Sequence, residues 1–579
     1  MKTKQPPAGP HAQDMTVDLL VIGSGTGMAA ALSAHERGLK VLVAEKQQWV
    51  GGSMSLSGGA FWVPANPVLQ EEGSDDTAER GLEYLDALAG DDAPRAQRLA
   101  FIEHGPATVE MLRRTTPLTF FWGKGYPDYH PEAPGGSAIG RGCESRPFDV
   151  ASLGRERARL LPNNVMAAPA VMPVTSGDYK WMNLMTRRPG KALPLIVRRL
   201  LLGVSGMLIG REYKATGQAL GAGLYAGLLK AGIPVWTRTA LVGLRTEDGR
   251  VTGAVLQQDG RRVTVTARRG VILAAGGFDH NMPLRSEHQT TRTEDWSWGA
   301  AGNTGDAIRL ATELGAATDL MDEAWWFPAF RPADSTAAPA VLLAERSLPG
   351  SFMVGSAGER FVNECGDYMT VGQVWQQRDR VGEPLGRVWL VFDQTHRNRY
   401  LMAGSVYPRQ KLPQAWFDAG IAFRADDPAA LARAAGIAQD SFVATFRRYN
   451  EIAAAGHDPE FGRGESAYDR YYGDPTVKPN PNLRPLHGTL YAVEVVLTDL
   501  GTCGGLRTDE HGQVQRTDGT TIEGLYAIGN TSANVFGRSY PGPGATIGQG
   551  LVYGHIAAQH AASHDHSSTG RTQQPEASS

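Results

Sequence analysis

The sequence predicts an α/β fold: a Rossmann-like, dinucleotide-binding domain that is discontinuous in the chain, with an α+β domain inserted into it. Three apolar runs predict a parallel sheet, at residues 17–22, 271–275 and 524–528, because near-continuous apolar character is typical of strands buried on both faces. The first run leads into a glycine-rich turn, and the third ends at Gly529. Residues from about 300 to 485 are richer in Trp, Tyr and Pro and have no such turn, so we expect them to form the insert.

The domain boundaries follow from these runs. A chain of 579 residues is too long for a single hydrophobic core. We expect a nucleotide-binding domain made of residues 16–298 and 487–562, and an inserted catalytic, or cap, domain at residues 299–486. The polar ends, residues 1–15 and 563–579, are expected to be disordered tails.

The chain begins with a predicted βαβ unit. A strand at residues 17–22 is followed by a glycine-rich turn at 23–27, a helix at 28–37 and a second strand at 39–44. Farther along, residues 235–270 alternate short strands with turn signals at 247–249 and 258–260.

The glycine-rich turn indicates a phosphate site. Glycines there allow a tight turn and let a pyrophosphate approach the backbone N–H groups at a helix N-terminus. Met28 stands where the G-x-G-x-x-G motif usually has Gly or Ala, so the motif alone is weak. Glu45 strengthens it, because it lies 20 residues after Gly25, where a carboxylate accepts the hydroxyls of an unphosphorylated ribose.

A second cluster of small residues favours FAD over NAD. Gly51-Gly52-Ser53 and Ser57-Gly58-Gly59 come directly after the second strand. A flat isoalloxazine ring and its ribityl chain need such access to the backbone, and NAD sites rarely have this second cluster. The sequence therefore predicts a non-covalent FAD site.

Composition excludes several other classes of function. The net charge is −3 and no basic block is present, which argues against nucleic-acid binding. Cys143, Cys365 and Cys503 form no CxxC pair, so we expect neither disulfides nor a metal site, and a reducing, cytoplasmic compartment. The N-terminus lacks the apolar region of a secretory signal.

The apolar segment from Ala192 to Gly210 leaves two alternatives open. Arg198 and Arg199 interrupt it, and its apolar runs are too short to span a bilayer. We favour a buried helix of a globular protein. The alternative is a helix in the membrane interface with its arginines at the headgroups, which would make the protein peripherally membrane-associated.

Three motifs in order resemble one flavoprotein family. The N-terminal unit, RRGVILAAGGF at residues 268–278 and GLYAIGN at 524–530 together resemble the family of fumarate reductase and 3-ketosteroid dehydrogenase. SGGAFWVPANPVL, GERFVNE, DLGTCGGLRTD and GNTSANVFGRSYPGPGATIG are similar to the 3-ketosteroid Δ1-dehydrogenases in particular. The resemblance implies a steroid held between the flavin and the inserted domain, and electrons passed to an external acceptor such as a quinone.

The motifs and the resemblance together give a set of predicted cofactor-binding residues. They are Gly23, Ser24, Gly25, Thr26, Gly27, Glu45, Lys46, Gly51, Gly52, Ser53, Ser57, Gly58, Gly59, Ala275, Gly276, Gly529, Asn530, Ala545 and Ile547.

The resemblance also implies the catalytic residues. Tyr540 and the backbone N–H of Gly544 would hold the substrate carbonyl oxygen, and Tyr368 would be the base. A free phenol is a poor base near neutral pH, so a partner is expected to lower the pKa of Tyr368 by about 2–3 units. The family uses a second tyrosine for this; Tyr126 is the choice made here, with Tyr129 as the alternative.

Three other functions are weighed against this one. A 3-ketosteroid Δ4-(5α)-dehydrogenase uses similar chemistry. A fumarate reductase-type enzyme would need a carboxylate-binding arginine where this chain has Tyr540, although Arg538 is nearby. A flavin-storage protein without turnover would explain the glycines but not the tyrosines.

Overall fold

The structure is a computed structural model that describes residues 13–163, 171–289, 294–334 and 337–563. Of the two predicted tails, only residues 13–15 and 563 lie within these ranges, so that prediction falls almost entirely outside the described residues.

The strands, in chain order, are β1 (Met15–Ile22), β2 (Val41–Ala44), β3 (Ala60–Trp62), β4 (Phe120–Trp122), β5 (Gly142–Ser145), β6 (Phe148–Asp149), β7 (Tyr213–Lys214), β8 (Val235–Trp236), β9 (Thr239–Glu247), β10 (Arg250–Gln258), β11 (Arg261–Leu273), β12 (Thr318–Asp319), β13 (Ala324–Phe330), β14 (Ala340–Val341), β15 (Ser351–Val354), β16 (Val388–Asp393), β17 (Ala422–Ala425), β18 (Leu490–Thr502), β19 (Gly505–Leu506), β20 (Gln513–Gln515) and β21 (Thr521–Ala527).

The α-helices are α1 (Gly27–Glu36), α2 (Gly52–Leu56), α3 (Pro67–Glu71), α4 (Ala78–Ala89), α5 (Arg95–Thr115), α6 (Ser176–Asn183), α7 (Pro189–Leu208), α8 (Thr216–Ala231), α9 (Met282–His288), α10 (Asp306–Thr312), α11 (Tyr368–Arg380), α12 (Gln394–Arg399), α13 (Gln414–Asp418), α14 (Pro428–Ala435), α15 (Gln439–Ala455), α16 (Ala467–Tyr471) and α17 (Ala545–Ser563). Short 3₁₀ helices span Val150–Arg159 and Gly529–Thr531.

The first sheet joins both ends of the chain and confirms the predicted α/β class. Its order is β20-β21-β11-β1-β2-β8, and β21, β11, β1, β2 and β8 run parallel. The three apolar runs found in the sequence lie side by side at its centre, where β1, β11 and β21 are buried in their carboxyl-terminal halves. β9, β10 and β11 form an antiparallel meander whose turns hold Asp248 and Asp259 at positive φ, where the sequence predicts turns.

The helices beside this sheet pack through small residues. α1 is buried from Gly27 to Ala34 and contacts α17. Gly554 of α17 allows the close approach, because a Cβ there would lie 3.3 Å from Ala30. The pairing fixes the N-termini of α1 and α17 near each other, and both face the site described below.

A second, antiparallel sheet lies between residues 324 and 502. Its order is β14-β13-β18-β16-β15, and β17 also pairs with β18. β18 therefore belongs to this sheet, although the sequence places its residues in the returning part of the nucleotide-binding domain. We propose that the second domain boundary lies near residue 503 rather than 487.

α7 differs from the favoured expectation for the segment from Ala192 to Gly210. Only Ala192, Gly203 and Gly206 of this helix are buried, so the prediction of a buried helix is wrong. The helix rests on the protein through glycines, because a Cβ on Gly203 would lie 1.6 Å from the carbonyl oxygen of Val171. Its large apolar side chains point outward as a result. Across the described parts of the chain, no helix is both long enough and apolar enough to cross a membrane.

Candidate active site

A cavity of about 580 Å³ lies beyond the carboxyl ends of the parallel strands. Its wall includes the residues that follow β1, β2, β11 and β21, together with residues of the second sheet and α11. Ligands of open α/β sheets bind at this edge, so the cavity is where the fold favours a binding site.

The glycine-rich turn after β1 forms one end of the cavity. Gly23 has a φ of 106°, and a Cβ there would lie 2.1 Å from the carbonyl oxygen of Ala274. Only glycine fits this position, because a side chain would clash with the backbone that follows β11. The turn thus places the N-terminus of α1 at the cavity, where the positive end of the helix dipole can receive a phosphate.

Glu45 braces this turn from the end of β2. One carboxylate oxygen accepts hydrogen bonds from the backbone N–H and the hydroxyl of Ser24, at 2.9 and 2.6 Å. The other accepts from the backbone N–H of Gln47 at 2.8 Å. Glu45 therefore stabilises the phosphate turn in addition to lining the cavity where we expect a ribose.

The predicted cofactor residues come together in this cavity. All of them line it except Gly27, Gly51 and Ala545, which stand directly behind lining residues of the turn, of α2 and of α17. Gly544, just before α17, has a φ of 92°, and a Cβ there would lie 2.2 Å from the carbonyl oxygen of Ala60. Two helix N-termini, a carboxylate and a glycine-lined wall fit FAD by shape and by charge.

Three tyrosines meet at the other end of the cavity. The hydroxyl of Tyr129 donates a hydrogen bond to the hydroxyl of Tyr368 at 3.0 Å. The ring of Tyr540 stacks on Tyr129 with 5.1 Å between centroids and meets the Tyr368 ring at 5.4 Å. All three residues line the cavity and are only about 5% exposed, so their hydroxyl groups lie in a largely dry environment.

The position of Tyr126 differs from the prediction. Its hydroxyl accepts a hydrogen bond from Tyr472 at 2.9 Å, and its ring stacks on Tyr471 at 4.5 Å. Tyr126 lines the cavity, but the bond to Tyr368 comes from Tyr129, three residues farther along. Gly125, at a φ of 88°, lies in the turn of residues 123–126 that leads into this stretch.

Burial controls the acidity of this cluster. It raises the pKa of Tyr368 and of Tyr129 well above the ordinary value, and it raises the pKa of Tyr126 to about 12. At Tyr368 the hydrogen bond from Tyr129 acts in the opposite direction but is outweighed. The expectation of a lowered pKa for Tyr368 is therefore wrong, because desolvation exceeds the effect of one hydrogen bond.

Tyr540 and Gly544, the two residues predicted to hold the substrate carbonyl, both line the cavity. Burial raises the pKa of Tyr540, while hydrogen bonds from Thr546 and Tyr368 and from the backbone of Thr546 and Gly544 lower it. The hydroxyl of Thr546 donates to Tyr540 at 3.1 Å. The phenol of Tyr540 and the backbone of Gly544 thus lie next to each other in the wall of the cavity.

Several residues of the site escaped the sequence analysis. Thr546 supports Tyr540, and Trp325 meets the Tyr540 ring edge-on at 4.8 Å. Tyr468, from α16, packs on Tyr129 at 4.9 Å. The sequence does show that residues 468–472 are rich in tyrosine. The spacing of these tyrosines does not indicate that they pack against Tyr126 and Tyr129.

Arg538 is engaged elsewhere. Its guanidinium forms ion pairs with Asp322 and Glu323 at 3.0 and 2.8 Å, and it is not part of the cavity wall. Among the described wall residues Lys46 is the only cation, and its ammonium is paired with Asp306 at 2.6 Å. The tyrosine end of the cavity therefore offers phenols and apolar side chains instead of a carboxylate-binding cation.

Comparison with known proteins agrees with this site. The model of the FAD binding domain family matches residues 18–547. The chain is 42% identical to the 3-oxosteroid 1-dehydrogenase of Mycolicibacterium smegmatis over 93% of this chain and 96% of that one. It is 33% identical to the 4-oxocyclohexanecarboxylate 2-dehydrogenase of Sinomonas cyclohexanicum, over 94% of this chain and 92% of that one.

A solved structure is also similar. The 3-ketosteroid Δ1-dehydrogenase of Sterolibacterium denitrificans, crystallised with 1,4-androstadiene-3,17-dione, matches with a TM-score of 0.88 and 37% identity. The match covers 95% of this chain and 99% of that one. The chain therefore belongs to the FAD-binding flavoprotein family, in the group that contains the 3-oxosteroid 1-dehydrogenases.

Proposed function

We propose that this protein is an FAD-dependent 3-oxosteroid 1-dehydrogenase. The observation that carries the proposal is the contact of Tyr129, Tyr368 and Tyr540 at the apolar end of the cofactor cavity. A steroid is a rigid hydrocarbon with few polar groups, which suits a pocket of aromatic walls with donors at one point. The similarity to the M. smegmatis and S. denitrificans proteins supports the same substrate class.

The residues have distinct roles in the proposed reaction. The hydroxyl of Tyr540 and the N–H of Gly544 donate to the C3 carbonyl oxygen and stabilise the enolate as charge develops there. Tyr368 takes the proton from C2, and Tyr129 donates a hydrogen bond to the oxygen that accepts it. FAD, when bound, supplies the acceptor for the hydride that leaves C1. We further propose that the electrons pass to a separate acceptor such as a quinone.

A comparison of substrates tests the proposal. The purified yellow protein is given androst-4-ene-3,17-dione, 5α-androstane-3,17-dione or 4-oxocyclohexanecarboxylate with a dye acceptor, and separately fumarate with a reduced viologen. We expect the fastest dye reduction with the first steroid. Faster turnover of any other substrate would contradict the proposal. The 5α-steroid would indicate a Δ4-(5α)-dehydrogenase, the cyclohexane carboxylate a dehydrogenase of that ketone, and fumarate a fumarate reductase.

We also propose that α7 contacts a membrane surface. Its exposed large side chains are Leu193, Val197, Leu200, Leu201, Val204, Met207 and Leu208, followed by Ile209. Leu208 is 83% exposed, and an apolar stripe of this length exceeds what a surface helix in water normally shows. The helix contains no acidic residue but has Lys191 and Arg198, which complements anionic lipid headgroups.

Vesicle sedimentation tests the contact. Leu201→Ser with Leu208→Ser should lower the binding to lipid vesicles by about tenfold or more per side chain, since each leucine loses its burial in lipid. The matched control changes Leu229 and Val443, exposed leucine and valine side chains on α8 and α15, to Ser. Equal pelleting of the two double variants would contradict the proposed contact.

A further inference from the structure

A second cavity, of about 310 Å³, lies where α6, α7 and α16 meet. Its wall carries the side chains of Lys180, Trp181, Arg188, Lys191 and Arg470. We call it the basic pocket. It is separate from the site described above, and the proposed dehydrogenation makes no use of it.

The four cations of the basic pocket differ from their neighbours on the same elements. Arg187 pairs with Asp474 at 2.9 Å and Arg199 pairs with Asp178 at 2.7 Å. In contrast, no carboxylate in the described ranges lies within ion-pairing distance of Lys180, Arg188, Lys191 or Arg470. Arg470 donates to a neutral acceptor, the carbonyl oxygen of Gly464, at 2.7 Å.

Lys180 is the least exposed of the four cations of the basic pocket. Its ammonium lies 4.0 Å from the ring centroid of Tyr471 and 5.3 Å from that of Trp181. Burial alone lowers the pKa of Lys180 to about 8, which reflects a cation partly removed from water without a counter-ion. The aromatic faces supply only part of the compensation that an anion would give.

The arrangement creates a concentrated positive potential. Four cations that converge on one cavity repel one another, and an anion removes that repulsion. α7 begins at Pro189, so the positive end of its dipole adds to the field. Two guanidinium groups and two ammonium groups match the many acceptor oxygens of a phosphate better than a single carboxylate.

We propose that the basic pocket binds a phosphate-bearing anion. The pocket adjoins α7, so the phosphate of an anionic lipid headgroup would meet the pocket when the apolar face of α7 lies in the interface. The choice of a lipid as the source of the phosphate rests on the proposed membrane contact of α7. The proposal that the pocket binds a phosphate rests only on its own cations.

The test uses the flavin-loaded full chain and its Arg188→Gln, Lys191→Gln double variant. Both side chains are exposed, so the fold is expected to tolerate the change. The control, Lys230→Gln with Lys411→Gln, removes the same charge from exposed lysines outside the pocket. Binding is measured to phosphatidylcholine vesicles with and without phosphatidylglycerol, and to inorganic phosphate by calorimetry.

We expect the double variant to bind the phosphatidylglycerol vesicles roughly 30-fold more weakly than the unmodified protein, at about fivefold for each lost cation. The control is expected to change by less than about twofold, because distant charges are screened. Loss of binding to the phosphatidylglycerol vesicles identifies a lipid headgroup, whereas loss of inorganic phosphate binding with unchanged vesicle binding identifies a soluble phosphate. Equal binding of the double variant and the control to both probes overturns the proposal.

Steroid turnover measured on the same samples separates this inference from the proposed function. An inactive unmodified protein would contradict the dehydrogenase function and leave the phosphate result standing. Vesicle binding that survives when Leu201 and Leu208 are replaced would remove α7 as the membrane contact, and inorganic phosphate binding by the same variant would leave the pocket standing.

Discussion

At the scale of single residues, the site depends on which hydroxyl group meets Tyr368. Tyr129 provides that hydrogen bond at 3.0 Å, whereas Tyr126 is held by Tyr472 and Tyr471. We therefore assign the supporting role in our proposal to Tyr129. A phenolate on Tyr368 would be stabilised by this bond, because hydrogen bonds to charged groups are stronger than those between neutral ones.

Replacing Tyr129 by Phe tests this assignment. We expect steroid turnover to fall about 10- to 100-fold, the value of one hydrogen bond to a charged group. Tyr126→Phe removes a hydroxyl that binds Tyr472 instead, and its effect on turnover should be several times smaller. A larger loss in Tyr126→Phe than in Tyr129→Phe would return the supporting role to Tyr126.

The raised pKa of Tyr368 also predicts a pH dependence. A base with a raised pKa is mostly protonated at neutral pH, so the active fraction grows as pH rises toward that pKa. Turnover should increase from pH 7 to pH 9 by up to about tenfold per pH unit, and Tyr129→Phe should move the rise to higher pH. A turnover that is level or falls over this range would contradict Tyr368 as the base.

Residue roles were only partly predictable from the sequence. Tyr540 and Gly544 are close in the chain, and the family resemblance implied that they act together. Tyr129 and Tyr368 are separated by 239 positions, so no local pattern tells which hydroxyl of a Tyr126–Tyr129 turn points at Tyr368. The pKa of Tyr368 was mispredicted for the same reason, because burial depends on side chains from α16 and β13 that only the fold brings near.

At the scale of structural elements, the β1–α1 turn is the most constrained part of the cofactor site. Its geometry follows from Gly23, whose positive φ and contact with Ala274 leave no room for a side chain. The sequence predicted this turn and its flanking strands to within about two residues, because glycine spacing and apolar runs are local signals. The short strands β3, β4 and β5 were not predicted, since three or four residues carry too little pattern.

Gly23→Ala tests the role of this turn. We expect the variant to purify with little or no flavin and to unfold at a lower temperature, because the β1–α1 turn must shift away from the phosphate position. Flavin absorbance per protein and thermal unfolding give the result. Gly38→Ala is the matched control: Gly38 also has a positive φ, but a Cβ there meets nothing within 4 Å. Full flavin content in Gly23→Ala would contradict the assigned phosphate site.

At the scale of the whole molecule, the site is assembled from distant parts of the chain. The first sheet unites β1, β11 and β21. Tyr368 of α11, which packs on β13 of the second sheet, and Tyr472, directly after α16, complete the cavity wall. The order of three sequence motifs was enough to predict the α/β class and the cofactor. The path of β18 in the second sheet and the outward face of α7 were not predicted, since both depend on long-range packing.

The central claim is that this assembly removes hydrogen from C1 and C2 of a 3-ketosteroid, and the position of the new double bond tests it most directly. Androst-4-ene-3,17-dione is incubated with the protein and a dye acceptor, and the product is analysed by mass spectrometry and proton NMR. We expect a product lighter by two hydrogens, with new vinyl protons at C1 and C2. A double bond at any other position, or dye reduction that does not require the steroid, would contradict the account.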